Sequence, residues 1–216
     1  MSLPKAKALA RRLRDVVQGA KRLQVDGQMA QDAVYELYVA VRAVEDVRRS
    51  YEVRLVQTRA AGQVRFPLNA ADKANYSYFE VWGRGLLQFQ ICLGTRYWNA
   101  NGTSFAPDLS VQVANSPAKP MATDVVFCWD CKFHSDASKR LPRNEVAVVA
   151  AWTSCNLRPT AQALPFSVFS AGAIWPQSNA VITNRRNSSL KPNDLIALEI
   201  NEVSDLRPGS KPVCRP

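Results

Sequence analysis

Between Asp124 and His134 apolar and polar residues alternate with period two, the pattern of a β-strand with one buried face. Val125, Phe127, Trp129, Cys131 and Phe133 make an unbroken apolar row, while the opposite row turns polar at Asp130, Lys132 and His134. The segment Pro107–Val113 alternates in the same way, with Leu109, Val111 and Val113 facing away from Asp108, Ser110 and Gln112. Further strands are predicted over Tyr51–Thr58, Tyr76–Trp82, Leu86–Leu93, Phe166–Ser170, Ala180–Asn184 and Leu195–Val203, the last closing a sheet. Leu86–Leu93 alternates most clearly and should be central. Asn99-Ala-Asn-Gly102 is a turn that joins two strands as a hairpin.

Three stretches change to helical spacing. Residues 4–23 form a basic helix with Leu9, Leu13, Val16, Val17 and Leu23 near one side, and the chain turns around Asp26-Gly27. Residues 29–49 place Val34, Leu37, Tyr38, Val41 and Val44 on one stripe, the pattern that packs on a sheet. Glu36 lies beside that stripe, in a row continued by Ala40, Ala43 and Val47, whose small side chains allow close approach. After a polar loop, Val146–Trp152 is apolar on every side and reads as a buried crossover helix following the Asp124–His134 strand. Residues 156–165 read as a linker, Trp175-Pro176 as a loop, residues 185–192 as a basic turn and residues 208–216 as a tail without periodicity. The expected fold class is α/β (α+β), a central mixed β-sheet flanked by helices. The expected division is a basic helix over 1–28, one α/β domain over 29–205 and a tail over 206–216, since 216 residues suit one core better than two.

Charge sharpens this picture. Lys and Arg number 28 against 18 Asp and Glu, a net of +10, which favours an anionic partner such as nucleic acid. No apolar run is long enough to span a membrane and no signal peptide is visible, so a cytoplasmic location without membrane contact is expected. The Arg/Lys-rich start would also suit a transit peptide, but an amphipathic helix is the preferred reading. The five cysteines are odd in number and irregular in spacing, which argues against a disulfide framework. On a regular strand Cys128 and Cys131 point to opposite faces and cannot grip one zinc ion. A lone histidine, His134, largely excludes a Ser-His-Asp enzyme or a multi-histidine metal site. No Walker loop, Rossmann glycine fingerprint or nucleophile elbow is present.

If the Pro107–Val113 and Asp124–His134 strands pair, Asp108, Asp130 and Lys132 share one face at one end of a sheet. Two carboxylates and a lysine held there suit a divalent cation with a general base beside it. Pro107-Asp108 and Asp130-Cys131-Lys132, 22 residues apart (130 − 108), resemble the motif of the PD-(D/E)xK nuclease superfamily. Tyr35-Glu36-Leu37 is similar to the acidic element on the helix preceding that family's core sheet. Glu80 is a rival for the third acid.

The resemblance covers at most residues 29–155 and implies a restriction-endonuclease-like core and a metal-dependent nuclease acting on DNA, in roles such as restriction, repair or defence. It implies Mg²⁺ or Mn²⁺ held by Asp108, Asp130 and the backbone carbonyl of Cys131, with Glu36 completing the site directly or through a water. Lys132 would orient and help deprotonate the attacking water. Lys139, Arg140, Arg143 and His134, next along the chain, are candidates for holding nucleic-acid phosphates. The competing expectation is a catalytically inactive protein of the same fold that binds nucleic acid or a partner protein; a homodimer is also compatible.

Overall fold

The two alternating segments pair with each other at the middle of a large sheet. The computed structural model describes residues 6–16, 30–57, 66–67, 70–156 and 178–216. In chain order its elements begin with α1 (Ala6–Val16), α2 (Gln31–Val47), β1 (Glu52–Val56), β2 (Tyr78–Gly83), β3 (Leu86–Leu93), β4 (Tyr97–Trp98), β5 (Ser104–Phe105) and β6 (Leu109–Val113). Then come β7 (Val125–Lys132), α3 (Arg143–Asn156), β8 (Ala180–Thr183), α4 (Pro192–Ala197), β9 (Asn201–Ser204) and β10 (Val213–Arg215). Eight strands form one mixed sheet in the order β1-β2-β3-β6-β7-β8-β9-β10, and β4 pairs with β5 as the hairpin expected around Asn99–Gly102.

From β1 to β7 every pairing is antiparallel, whereas β8 runs parallel to β7 and β9 parallel to β8. Parallel neighbours need a long return path, and α3 lies between β7 and β8 in the chain. Helices cover both faces. On one face Leu37, Val41 and Val44 of α2, with Leu9 and Leu13 of α1, join Phe127, Trp129, Cys131, Ile182 and Val203 in the main core. On the other, Val146, Val149 and Ala150 of α3 and Leu195 of α4 pack around Val181 and Ile200. The basic helix is therefore no separate appendage: its apolar side is core, and Arg12 clasps Glu45 of α2 with two hydrogen bonds.

Several expectations need correction. Val125 does not extend the apolar row of β7, because a bulge opposite Val111/Gln112 turns it to the far face beside Tyr97, Phe105 and Cys128. Helix α3 is not buried all round, since Val148 is 66% exposed. The Leu195–Val203 segment is not one strand. Pro192 starts α4, its ring presetting the first turn, and only Asn201–Ser204 is extended. The last residues are no mere tail either. Leu206 is fully buried, and β10 adds to β9 as the sheet's edge. Its exposed side chains carry no alternation, so backbone pairing and the Arg215–Glu202 ion pair at 2.8 Å hold it in place.

Cys128 and Cys131 do lie on opposite faces, each buried in a different cluster. The expected strand at 166–170, the loop at 175–176, the turn at 26–27 and residues 17–23 of the first helix lie outside the described residues. Among the described residues no helix is long and apolar enough to cross a membrane.

Candidate active site

Because β6 and β7 are antiparallel, the start of one meets the end of the other. Leu109 pairs with Trp129, and continuing that register by one residue sets Asp108 opposite Asp130. Asp108 is pinned on two sides: its Oδ2 accepts the Cys131 N–H at 2.7 Å, and its backbone oxygen accepts the Gly94 N–H at 2.9 Å. Asp130 and Lys132, two apart on β7, project from the same face. Lys132 Nζ lies 2.5 Å from Asp130 Oδ2, with side-chain exposures of 33% and 18%. The Lys132 ammonium thus neutralises a buried carboxylate oxygen.

Glu36 approaches from α2, on the opposite face of the sheet, near the end where β6 begins. Its position follows from the packing of α2, whose neighbours Tyr35, Leu37 and Ala40 are all buried. The carboxylates feel one another. Burial, then the charges of Asp108, Asp32 and Asp130, push Glu36 up to about 8, against a smaller pull from Lys132. Burial and the Asp130 charge push Asp108 up to about 7, opposed by the Cys131 N–H and the Lys132 ammonium. Burial alone would lower the Lys132 ammonium, but contact with Asp130, backed by Asp108 and Glu145, outweighs it and raises the pKa. Lys132 is therefore held as a cation and is not a ready proton acceptor.

Glu80 is not part of this group. It sits on β2 opposite Arg54, where its carboxylate accepts the Trp82 indole N–H at 3.1 Å. Of the two rivals for a third acid, Glu36 is the one whose charge is coupled to Asp108 and Asp130.

No family model, curated protein or solved structure matches this chain. The site has to be read from its own chemistry.

Beyond Lys132 the chain is stapled to the end of β8. Asn184 grips both backbone groups of His134, accepting its N–H at 2.9 Å and donating to its carbonyl at 2.7 Å. The His134 ring is engaged as well, with Nε2 at 3.1 Å from Glu145 on the first turn of α3. Lys139 pairs loosely with Asp136 at 3.5 Å, and Arg140 and Arg143 are exposed. Glu145 and Asn184 were not singled out from the sequence. An acid in the first turn of a helix reads as ordinary dipole compensation, and an Asn after a strand reads as a turn residue.

The donors present suit a hard divalent cation. Asp108 and Asp130 supply carboxylates at neighbouring register positions, one Asp130 oxygen being held by the Lys132 ammonium. The Cys131 N–H points toward Asp108, and in an extended chain a residue's carbonyl points to the same side. Glu36 adds a third acid within electrostatic range, and the mutual repulsion that raises Glu36 and Asp108 is one a divalent cation would relieve. Among the described residues, however, no three His, Cys, Asp or Glu side chains are close enough to hold a metal by themselves. A cation held here would therefore have two carboxylates and a carbonyl as its direct protein donors, with Glu36 outside that set.

Proposed function

We propose that this chain is a metal-dependent nuclease that hydrolyses phosphodiester bonds of DNA. The observation that carries the reading is the convergence of Asp108, Asp130 and Lys132 at one end of the β6–β7 pair, with Glu36 in electrostatic range. The surrounding order supports it: helix α2, antiparallel β3, β6 and β7, then α3 and a parallel β8.

In this reading Asp108, Asp130 and the Cys131 carbonyl would hold Mg²⁺ or Mn²⁺. The bound cation would polarise a phosphoryl oxygen and promote ionisation of water. Lys132 keeps its charge, orients the attacking water and offsets negative charge gathering on the phosphorus centre. Asp108 and Cys131, locked to each other by the 2.7 Å hydrogen bond, keep the donors in place before substrate arrives. Glu36 bounds the site on the helix side, where it would act through a water.

The test is cleavage of plasmid, linear duplex and single-stranded DNA with Mg²⁺, with Mn²⁺ and with EDTA. Metal-dependent products that vanish in Asp130→Ala and Lys132→Ala support the reading. Wild-type protein that leaves every substrate intact, or a Lys132→Ala protein that cuts at the wild-type rate, overturns it.

A further inference from the structure

Three arginines that stand apart in sequence form one surface feature. The loop after β7 and the loop after β8 are zipped together by backbone hydrogen bonds, Leu141 N–H to Arg186 O at 2.9 Å and Arg186 N–H to Lys139 O at 3.2 Å. Arg140 and Arg186 are bridged across this junction, which sets their backbones about 5 Å apart. Arg143 follows three residues after Arg140, at the start of α3. Arg185 serves as the buckle, its guanidinium donating to the carbonyls of Asp136 at 3.1 Å and Arg140 at 3.4 Å.

Arg140, Arg143 and Arg186 are all exposed, and none meets a carboxylate among the described residues. Elsewhere Arg12, Arg49, Arg54, Arg96, Arg207 and Arg215 each face one. Three guanidinium groups without a carboxylate partner on a backbone-stapled platform repel one another, a repulsion that bound anions would relieve. The platform follows directly from Lys132 and His134, because Asn184 fixes the loop to His134. It therefore adjoins the candidate active site.

We propose that Arg140, Arg143 and Arg186 form a phosphate-binding ridge that seats double-helical DNA beside the Asp108–Asp130–Lys132 site. The inference rests on the nuclease reading for its setting and names the substrate class: duplex rather than single strand. Single-strand binders combine positive charge with exposed aromatic rings on which bases stack. Among the described residues the large exposed apolar side chains are Leu86, Met121, Val148, Ile196 and Val213, with no aromatic ring. Phe133, nearest the ridge in sequence, packs into the core against Tyr35. Such a ridge positions a backbone without reading bases.

The experiment is fluorescence anisotropy with a labelled duplex oligonucleotide and one of its single strands, in Ca²⁺ and in EDTA, over a series of salt concentrations. Loss of three phosphate contacts should flatten the slope of log affinity against log salt by about 2.7, roughly 0.9 per contact, and weaken duplex binding by two to three orders of magnitude near ~0.1 M salt. The variant is R140Q/R143Q/R186Q, checked for folding by circular dichroism. The single variants, each expected to flatten the slope by about 0.9, keep the test open should the triple variant misfold.

Wild-type protein should bind the duplex more tightly than the single strand. Equal binding of the two strand forms, an unchanged slope in the variants, or no binding of duplex by the wild type overturns the ridge. The nuclease reading fails separately, in the cleavage assay. Duplex binding with the predicted slope change but no cleavage in Mg²⁺ sustains the ridge and refutes catalysis. Metal-dependent cleavage unaffected by the three substitutions does the reverse.

Discussion

Replacing Asp108 by Asn should stabilise the metal-free protein at alkaline pH. Asp108 is raised from 3.8 to about 7 by burial and the Asp130 charge. Its folded pKa lies above its unfolded one, so its favourable contribution is complete below the unfolded value and is lost as pH rises through the folded value. A shift of about three units corresponds to about 4 kcal/mol at 1.36 kcal/mol per unit. Glu36 and Asp130 share the same repulsion, which lowers the gain expected from one substitution to about 2–4 kcal/mol. The asparagine amide oxygen can still accept the Cys131 N–H, so the substitution removes charge with little loss of structure.

At 2–4 °C per kcal/mol for a domain of this size, Asp108→Asn should raise Tm by about 5–15 °C at about pH 8.5 in EDTA. At about pH 4, where the folded-state wild-type carboxyl is protonated, the difference should be much smaller. Thermal denaturation of both proteins across this range, followed by circular dichroism, provides the measurement. A Tm difference that is absent at high pH, or constant with pH, would refute the carboxylate crowding inferred at this site.

Asp130→Ala and Lys132→Ala should each reduce Mg²⁺-dependent cleavage by at least about a hundredfold, the scale for loss of a preorganised electrostatic group, as read from plasmid nicking rates. Glu202 is fully buried and accepts hydrogen bonds from Ser188 N–H at 2.7 Å, Ser188 O–H at 2.6 Å and Arg215 at 2.8 Å. Glu202→Ala strands these donors and should cost about 3–5 kcal/mol in denaturant unfolding; a loss below about 1 kcal/mol would mean that β10 is not clamped by this pair. Elemental analysis should find no stoichiometric zinc, because Cys128 and Cys131 face different clusters on β7; about one zinc per chain would contradict that strand.

The sequence by itself determined the elements whose periodicity is a direct consequence of backbone geometry. Alternation marked β3, β6 and β7, and helical spacing marked α2, because one buried face imposes period two on a strand and a stripe on a helix. The pairing of β6 with β7 and the proximity of Asp108, Asp130 and Lys132 were legible for the same reason. Tertiary structure decided what no local pattern encodes. Bulge formation turned Val125 to the other face, since strand register depends on the partner. Backbone pairing recruited Val213–Arg215 as an edge strand, a bond that leaves no mark on side-chain alternation. The coupling of Glu36 to Asp108 and Asp130 came from where α2 packs, and the elevated pKa of Asp108 from burial beside another carboxylate. The meeting of Arg140 with Arg186, 46 residues apart (186 − 140), required the crossover that lays β8 beside β7. Contacts between distant segments are fixed by how whole elements pack, and their cost in chain entropy is recovered only when the sheet assembles.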